Sequence, residues 1–572
     1  MPVQPIIVQA PDKGVNDLLP ANMINDRESV SFSKNVLYAN GEIKTSYGFA
    51  LLAPDSLPLN SGDKILGVFK FQEEDKTEHV VVVTSGKIYQ KNNIDNTWIN
   101  IVLNDLENNI LKANLLNAVS FVVIPHTDAV EMDVSGGYSY KHLIVCDGGM
   151  SPLQRWAGKF ENKFYSLKGA DDYHDEDVPS ITDHYAQQVE LFHNHIILLS
   201  PKTWNATSAV FEENPSLFLF GKAGKLEETG TYNTVESGAG AINLIDTGDT
   251  NVWCMKLAGQ LIIYQKHSIW SLSNVGGADV FRARVEMSDL GLLAPHLLVS
   301  YDNKHFFIGN DFNVYVYYGG SSKQMIVSQI RNLLKSDLDY AFAYRCWMVV
   351  GASGSRLWIF YVPKGSRYIV RGWGMDLKTG AWQQRDFTHV WTDSGITSIA
   401  LIGATSYFVG DTYQKAIDLG YTWQDKIDTA KTYRQLLQEI IGEESLVFGD
   451  SEGNIYQYNS DLATDNGIAL PAQSVSKVFD YGRSDLIKWW DGITVIAKGT
   501  KLQVGYRISG FDTENDGWAN FVPVDLTDQY QKYSFYFNVS STAIQFRFSN
   551  YQGSSYAIRE FQLHSPTIED VV

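Results

Sequence analysis

The chain is written in short apolar runs separated by polar turns, and the rhythm of those runs changes near residue 474. Beyond that point the alternation is strict. Leu502, Val504, Tyr506 and Ile508 fall on one face of an extended segment, with Gln503, Gly505, Arg507 and Ser509 opposite. Tyr533, Phe535, Phe537 and Val539 repeat the pattern, as do Ile544, Phe546 and Phe548, between which Gln545 and Arg547 face away. Period two predicts half-buried antiparallel strands. Roughly seven such strands close together predict a β-sandwich of jelly-roll type over 474–572.

Upstream, over 59–473, the pattern is looser but recurrent: an apolar strand, a polar turn with Gly or Asn, then an apolar-aromatic strand. The copies are Val80–Tyr89, Leu143–Trp156, Leu261–Trp270, Phe306–Tyr315 and Leu446–Tyr456, with a related one over Leu357–Trp382. A lone hairpin cannot bury both faces, and repeated hairpins stack radially as the blades of a β-propeller. Their irregular spacing predicts insertions. Two of these carry helical periodicity: Ile326, Ile330, Leu333, Leu334 and Leu338, then Tyr433, Leu436, Leu437, Ile440 and Ile441 before Gly442. Residues 226–250 and the acidic stretch 171–177 read as exposed loops. The first segment, 1–58, reads as an extended arm, because Pro2, Pro5, Pro11 and Pro20 exclude a helix. It includes a hairpin at Asn40-Gly41, two residues that tolerate positive φ. The expected fold is therefore mainly β: an irregular propeller with insertions plus a C-terminal antiparallel sandwich.

Composition narrows the function. With 46 basic and 65 acidic residues the net charge is −19, and no basic run occurs. A chain that grips nucleic acid normally carries a basic stripe, so gripping DNA is not expected. Cys146, Cys254 and Cys346 are far apart and flanked by apolar residues, which suits reduced buried thiols. The first residues lack a basic stretch followed by an apolar core, and no long apolar run follows. Neither a signal peptide nor a membrane-spanning helix is expected.

Candidate chemistry is sparse. The chain has no nucleophile elbow, phosphate-binding loop, HExxH or GxGxxG pattern. His193 and His195, two apart on a strand, would present both rings to one metal, with Asp183 and His184 nearby. The flanking sequence reads instead as a turn entering a buried strand. The cluster Asp171, Asp172, Asp175, Glu176 and Asp177 lacks the periodicity of a calcium loop. Ser451-Glu452-Gly453 and Thr250–Trp253 are fragments of the turn motif of sialidase-type propellers. Trp489, Trp490 and Trp518 are candidates for stacking on sugar rings, with core packing the competing reading. No residue is assigned as catalytic, cofactor-binding or metal-binding, and no cofactor is expected.

Three stretches carry a family resemblance. The first runs Leu19-Pro20-Ala21, Asn35 to Ile43 and Tyr47-Gly48-Phe49; the second runs Gly291 to Pro295, Phe306 to Asn310 and Val314 to Gly319. The third comprises Val478 to Gly482, Tyr533 to Phe537 and Ile544 to Asn550. In this order they resemble the tail nozzle proteins of podovirus-type bacteriophages, the tail tubular protein B and tail hub, or packaged-DNA stabilisation, family. The resemblance implies a non-enzymatic virion protein, synthesised in the host cytoplasm and located in the short tail. It implies a homo-hexameric ring below the portal and adaptor, contact with tail fibres or spikes, and genomic DNA passing through the lumen. An acidic lumen wall would let that DNA slide without sticking. The alternative from the residues alone is a carbohydrate-binding or glycoside-hydrolysing propeller with an accessory sandwich.

Overall fold

The computed structural model describes residues 4–568 apart from 53–55, 61, 73–77, 92–96, 104–105, 107–109, 126–140, 157, 159–162, 167–183, 206–207, 209, 225–237, 278, 327, 352–355, 403–444 and 460–461. Strands dominate it. The described residues between 65 and 459, joined by one strand from the N-terminal segment, form seven four-stranded antiparallel blades. The first strands of the blades are Ile65–Gln72, Ser120–Pro125, Gln188–Phe192, Asn251–Leu257, Leu298–Tyr301, Trp347–Val350 and Ile396–Ile402, and they touch one another in that order. The last touches the first, so the ring is closed. Blades 1 and 2 are also joined at their outer edges, where Lys163–Ser166 runs parallel to Trp98–Leu103.

Each hairpin copy read from the sequence falls on the second and third strands of a blade; the long copy in blade 6 adds the fourth. Blade 3 interrupts this hairpin with a two-stranded ribbon, Lys202–Asn205 and Val210–Glu213, which breaks the sequence pattern there. Part of the 226–250 segment is the outer strand of that blade, Gly240–Asn243. The first helical insertion forms a short helix, Arg331–Asp337, flanked by 3-10 turns, and Ile330, Leu334 and Leu338 bury its stripe against the main core. Among the described residues no helix is long and apolar enough to cross a membrane. The second helical stripe and the acidic stretch 171–177 lie outside the described residues.

Blade 7 takes its fourth strand from the N-terminal segment. Gly48–Leu51 pairs antiparallel with Ile455–Asn459 and clasps the ring shut. Phe49 is fully buried there, stacked on Trp391 at 5.5 Å and edge-on to Tyr456 and Phe448. Aromatic pairs of this kind contribute about 0.5–1.5 kcal/mol each beyond their area burial. Gly48 is required by close approach, because a Cβ there would sit 1.8 Å from the Thr464 carbonyl oxygen.

Beyond residue 472 the long strands alternate between two facing sheets, the connection of a jelly roll. One sheet holds Lys488–Gly499, Gln531–Ser541 and Tyr556–Leu563; the other holds Gln473–Phe479, Lys501–Arg507 and Ile544–Asn550. The N-terminal segment extends the first sheet. Ile6–Gln9 and Glu42–Thr45 both pair with Tyr556–Leu563, and Val36–Ala39 pairs with Glu42–Thr45. Asn40 and Gly41 have φ of 55° and 78°, the turn that an Asn-Gly hairpin adopts. The described part of residues 1–58 thus adds strands to both the sandwich and the last blade.

One side chain departs from the alternation. Arg507, expected on the solvent face, is buried, because the N-terminal segment covers that face with Ile24, Val30 and Phe32. Its guanidinium lies 4.5 Å from the centre of the Trp518 ring and donates to Gln545 Oε1 and to the carbonyls of Phe511 and Thr513. Burial, reinforced by the neighbouring Arg547, pushes its pKa down to about 10.

Candidate functional site

The segment that crosses from sandwich to propeller also builds the polar junction between them. Asn35, at φ 57°, is buried and uses both ends of its amide. Its Oδ1 accepts from the Asp386 backbone N–H and the Arg385 guanidinium, and its Nδ2 donates to the Pro471 carbonyl. Arg385, on the outer strand of blade 6, is 1% exposed and donates to Asp465 Oδ1 at 2.5 Å and to the Tyr47 carbonyl at 3.2 Å. The other carboxylate oxygen of Asp465 lies 2.8 Å from His389 Nε2. Charges at such depth are tolerable only with a partner and further hydrogen bonds. Blade 6, the N-terminal segment and the stretch after blade 7 each supply part of them.

Beside this network opens a cleft of about 380 Å³, a volume in the range of ligand pockets. Its floor is set by strand register. Lys44 and Lys498 both stand opposite Ala557, one from each neighbouring strand. Directly opposed residues of an antiparallel pair point to the same side of the sheet. The two lysines therefore flank the Ala557 methyl on one face, with Cα atoms roughly 9–10 Å apart from two strand spacings. Tyr47, Leu462, Ala463, Asp528 and Ser555 also line the cleft. Lys44 Nζ donates to the Tyr47 hydroxyl at 2.8 Å, and Lys498 Nζ sits 4.6 Å from the centre of the Tyr530 ring. Among the described residues neither lysine is in an ion pair, whereas Lys34, Lys477 and Lys501 are paired with Glu514, Asp26 and Asp525.

The candidates read from the sequence are not brought together into a site. His193 is not on a strand: with Asn194 it forms the positive-φ turn between Gln188–Phe192 and His195–Leu199, so the two rings do not share a strand face. His195 is buried, edge-on to Phe220 and Phe281, and its Nδ1–H donates to the Gly221 carbonyl at 2.6 Å. Burial lowers the His184 pKa to about 4, and the His184 carbonyl accepts from the Leu153 N–H. Asp183 and the 171–177 acids lie outside the described residues. Ser451-Glu452-Gly453 is a blade turn held by Asp450, whose Oδ1 accepts from the Glu452 and Asn454 backbone N–H groups. Asp311 holds the equivalent turn of blade 5 in the same way, through Asn313. The Thr250–Trp253 fragment leads into the first strand of blade 4. Trp490 is buried and donates to Ser541, and Trp518 packs against Arg507 and Arg547; Trp489 alone of the three is exposed. All three cysteines are buried free thiols, and burial pushes Cys146 and Cys346 up to about 12.

No family model matches the sequence, and no curated protein matches it. Solved structures that resemble it include the WD40 domain of Neurospora crassa Pan2, at a TM-score of 0.36 and 8% identity over 72% of this chain and 95% of that one. An exo-β-1,3-galactanase from Phanerochaete chrysosporium gives a TM-score of 0.23 and 8% identity over 78% of this chain and 100% of that one. A family 43 arabinoxylan arabinofuranohydrolase from Bacillus subtilis gives 0.22 and 10% over 96% and 98%. At these scores the likenesses carry no argument about activity or substrate.

Proposed function

We propose that this chain is a structural subunit of a short bacteriophage tail, the nozzle. Six copies form a ring below the portal and adaptor, retain the packaged genome and conduct it at ejection. The observation that carries the reading is the course of the N-terminal segment. It supplies strands to the sandwich, closes the seventh blade, and lies at the polar junction between the two. A subunit that withstands the pressure of packaged DNA has to transmit force between its parts without hinging, and one segment threaded through both resists that motion. The stretches that resemble tail nozzle proteins lie in the elements so joined. Asn35 to Ile43 and Tyr533 to Phe537 are in one sandwich sheet, Ile544 to Asn550 is in the other, and Tyr47 to Phe49 reaches the closing strand. Gly291 to Pro295 docks on blade 5, where the Leu293 N–H donates to the Ile308 carbonyl. The net charge of −19 suits a conduit wall that repels phosphates.

The mass in solution tests this reading, measured by light scattering on the chain expressed alone and together with a portal and adaptor. A six-copy ring in either sample supports it. A 64.2 kDa monomer in both overturns it.

A further inference from the structure

We infer that the cleft between propeller and sandwich is a binding site for a small multivalent oxyanion, a ligand carrying phosphate or carboxylate groups. Three independent features converge on it. The register sets Lys44 and Lys498 on either side of the shortest chiral side chain, Ala557, so both side chains leave the sheet on the same face. Neither is in an ion pair among the described residues, in a protein where acids outnumber bases by 65 to 46; the nearby carboxylates are Asp528, in the same lining, and Glu42, which is bonded to Tyr530. The two lysines share a cleft of about 380 Å³, open to solvent, which Tyr47, Leu462, Ala463, Asp528 and Ser555 also line.

The chemistry favours an anion of two or more charges. Flexible lysine stems let two ammoniums converge on one group or hold the two ends of a longer one. Charge-assisted hydrogen bonds are about twice as strong as neutral ones, and the Tyr47 hydroxyl is placed to add a neutral donor once Lys44 turns to the ligand. Asp528 also lines the cleft and is exposed, so its carboxylate opposes part of the lysines' field, and solvent screens that opposition. The site joins the sandwich strands to the stretch that follows blade 7, so an occupant would tie the two parts together. It is independent of the tail assignment: a monomer that binds anions keeps it, and a ring that does not bind them loses it alone.

Calorimetric titration of the full chain with pyrophosphate and, separately, citrate at low ionic strength tests the site. Saturable one-site binding of either, weakened at least tenfold by Lys44→Gln and by Lys498→Gln and progressively by added salt, supports it. Ala557→Leu, which fills the space between the two lysines and leaves both charges, should abolish binding while near-ultraviolet circular dichroism stays that of the unaltered protein. If Ala557→Leu perturbs that spectrum, the two lysine variants decide. The relative strength of pyrophosphate and citrate distinguishes phosphate from carboxylate. Absence of saturable binding by both, or binding that survives the double lysine variant, overturns the inference.

Discussion

Two pairs of basic side chains meet at the junction of propeller and sandwich, and Tyr47 touches both. Its carbonyl accepts from Arg385 and its hydroxyl from Lys44. The Arg385 guanidinium is sealed from water, with His389 beside it, and the chain supplies Asp465 for both. Lys44 and Lys498 stay at the wall of an open cleft, where neither is in an ion pair among the described residues although Asp528 shares the lining. A buried cation without its partner costs several kcal/mol, whereas a partly exposed ammonium keeps most of its hydration. The first pair is therefore a fixed element of the fold, and the second is free to take its counter-ion from solution.

Removing the internal carboxylate attacks this contrast where it is strongest. Asp465→Asn keeps the shape and deletes the charge facing Arg385 and His389. It should cost about 3–5 kcal/mol, the usual result of leaving one member of a buried pair uncompensated. The fall in the guanidinium chloride unfolding midpoint measures it. A loss below about 1 kcal/mol would mean that water reaches Arg385 and that the junction is not sealed.

Neither pair is legible in the sequence, and the reason is distance along the chain. Lys44 and Lys498 become neighbours only because Tyr556–Leu563 runs between their strands, and Arg385 meets Asp465 across a whole blade. Nothing local marks such residues. The mainly-β fold is legible, because each second-to-third-strand hairpin is a local unit with its own turn, as at Asp311 and Asp450. Blade 3 escapes the pattern because a ribbon splits that hairpin, and alternation misplaces Arg507 because the covering residues come from the other end of the chain. His193 and His195 look like ligands only if both lie on one strand; positive φ at His193 and Asn194 makes the first a turn residue.

His305 adds a third way of burying a titratable group, with neither an internal counter-ion nor access to an external one. It lies fully buried in blade 5; its Nε2–H donates to the Lys256 carbonyl at 2.8 Å and its Nδ1 accepts from the Tyr264 hydroxyl at 2.9 Å. Those bonds fit the neutral ring, and burial lowers its pKa from 6.5 to about 4. The unfolded chain then binds a proton that the folded chain refuses. The contribution of His305 is present above pH 6.5 and is lost as the pH falls toward 4. His305→Gln should therefore destabilise the protein at pH 7 by about 1–3 kcal/mol, the cost of leaving buried polar partners unsatisfied. Its deficit should shrink as the pH is lowered to 4. Urea midpoints of both proteins across that range read it out, and a deficit independent of pH would show that His305 is not held neutral.

The lysines of the cleft should respond least, and that is what gives them their meaning. Lys44→Gln and Lys498→Gln should each change stability by less than about 0.5 kcal/mol, as substitutions away from buried networks do. Lys44 loses one bond to the Tyr47 hydroxyl, which water replaces, and Lys498 loses a contact with the Tyr530 ring. Each change also relieves repulsion between two like charges that flank Ala557, which offsets part of the loss. Thermal unfolding of the two variants in anion-free buffer measures this directly. A loss of about 2 kcal/mol in either would place that lysine with Arg385, as a cation the fold itself depends on. A negligible loss separates both lysines from the cations the fold depends on and leaves their role to be decided by the anion titration.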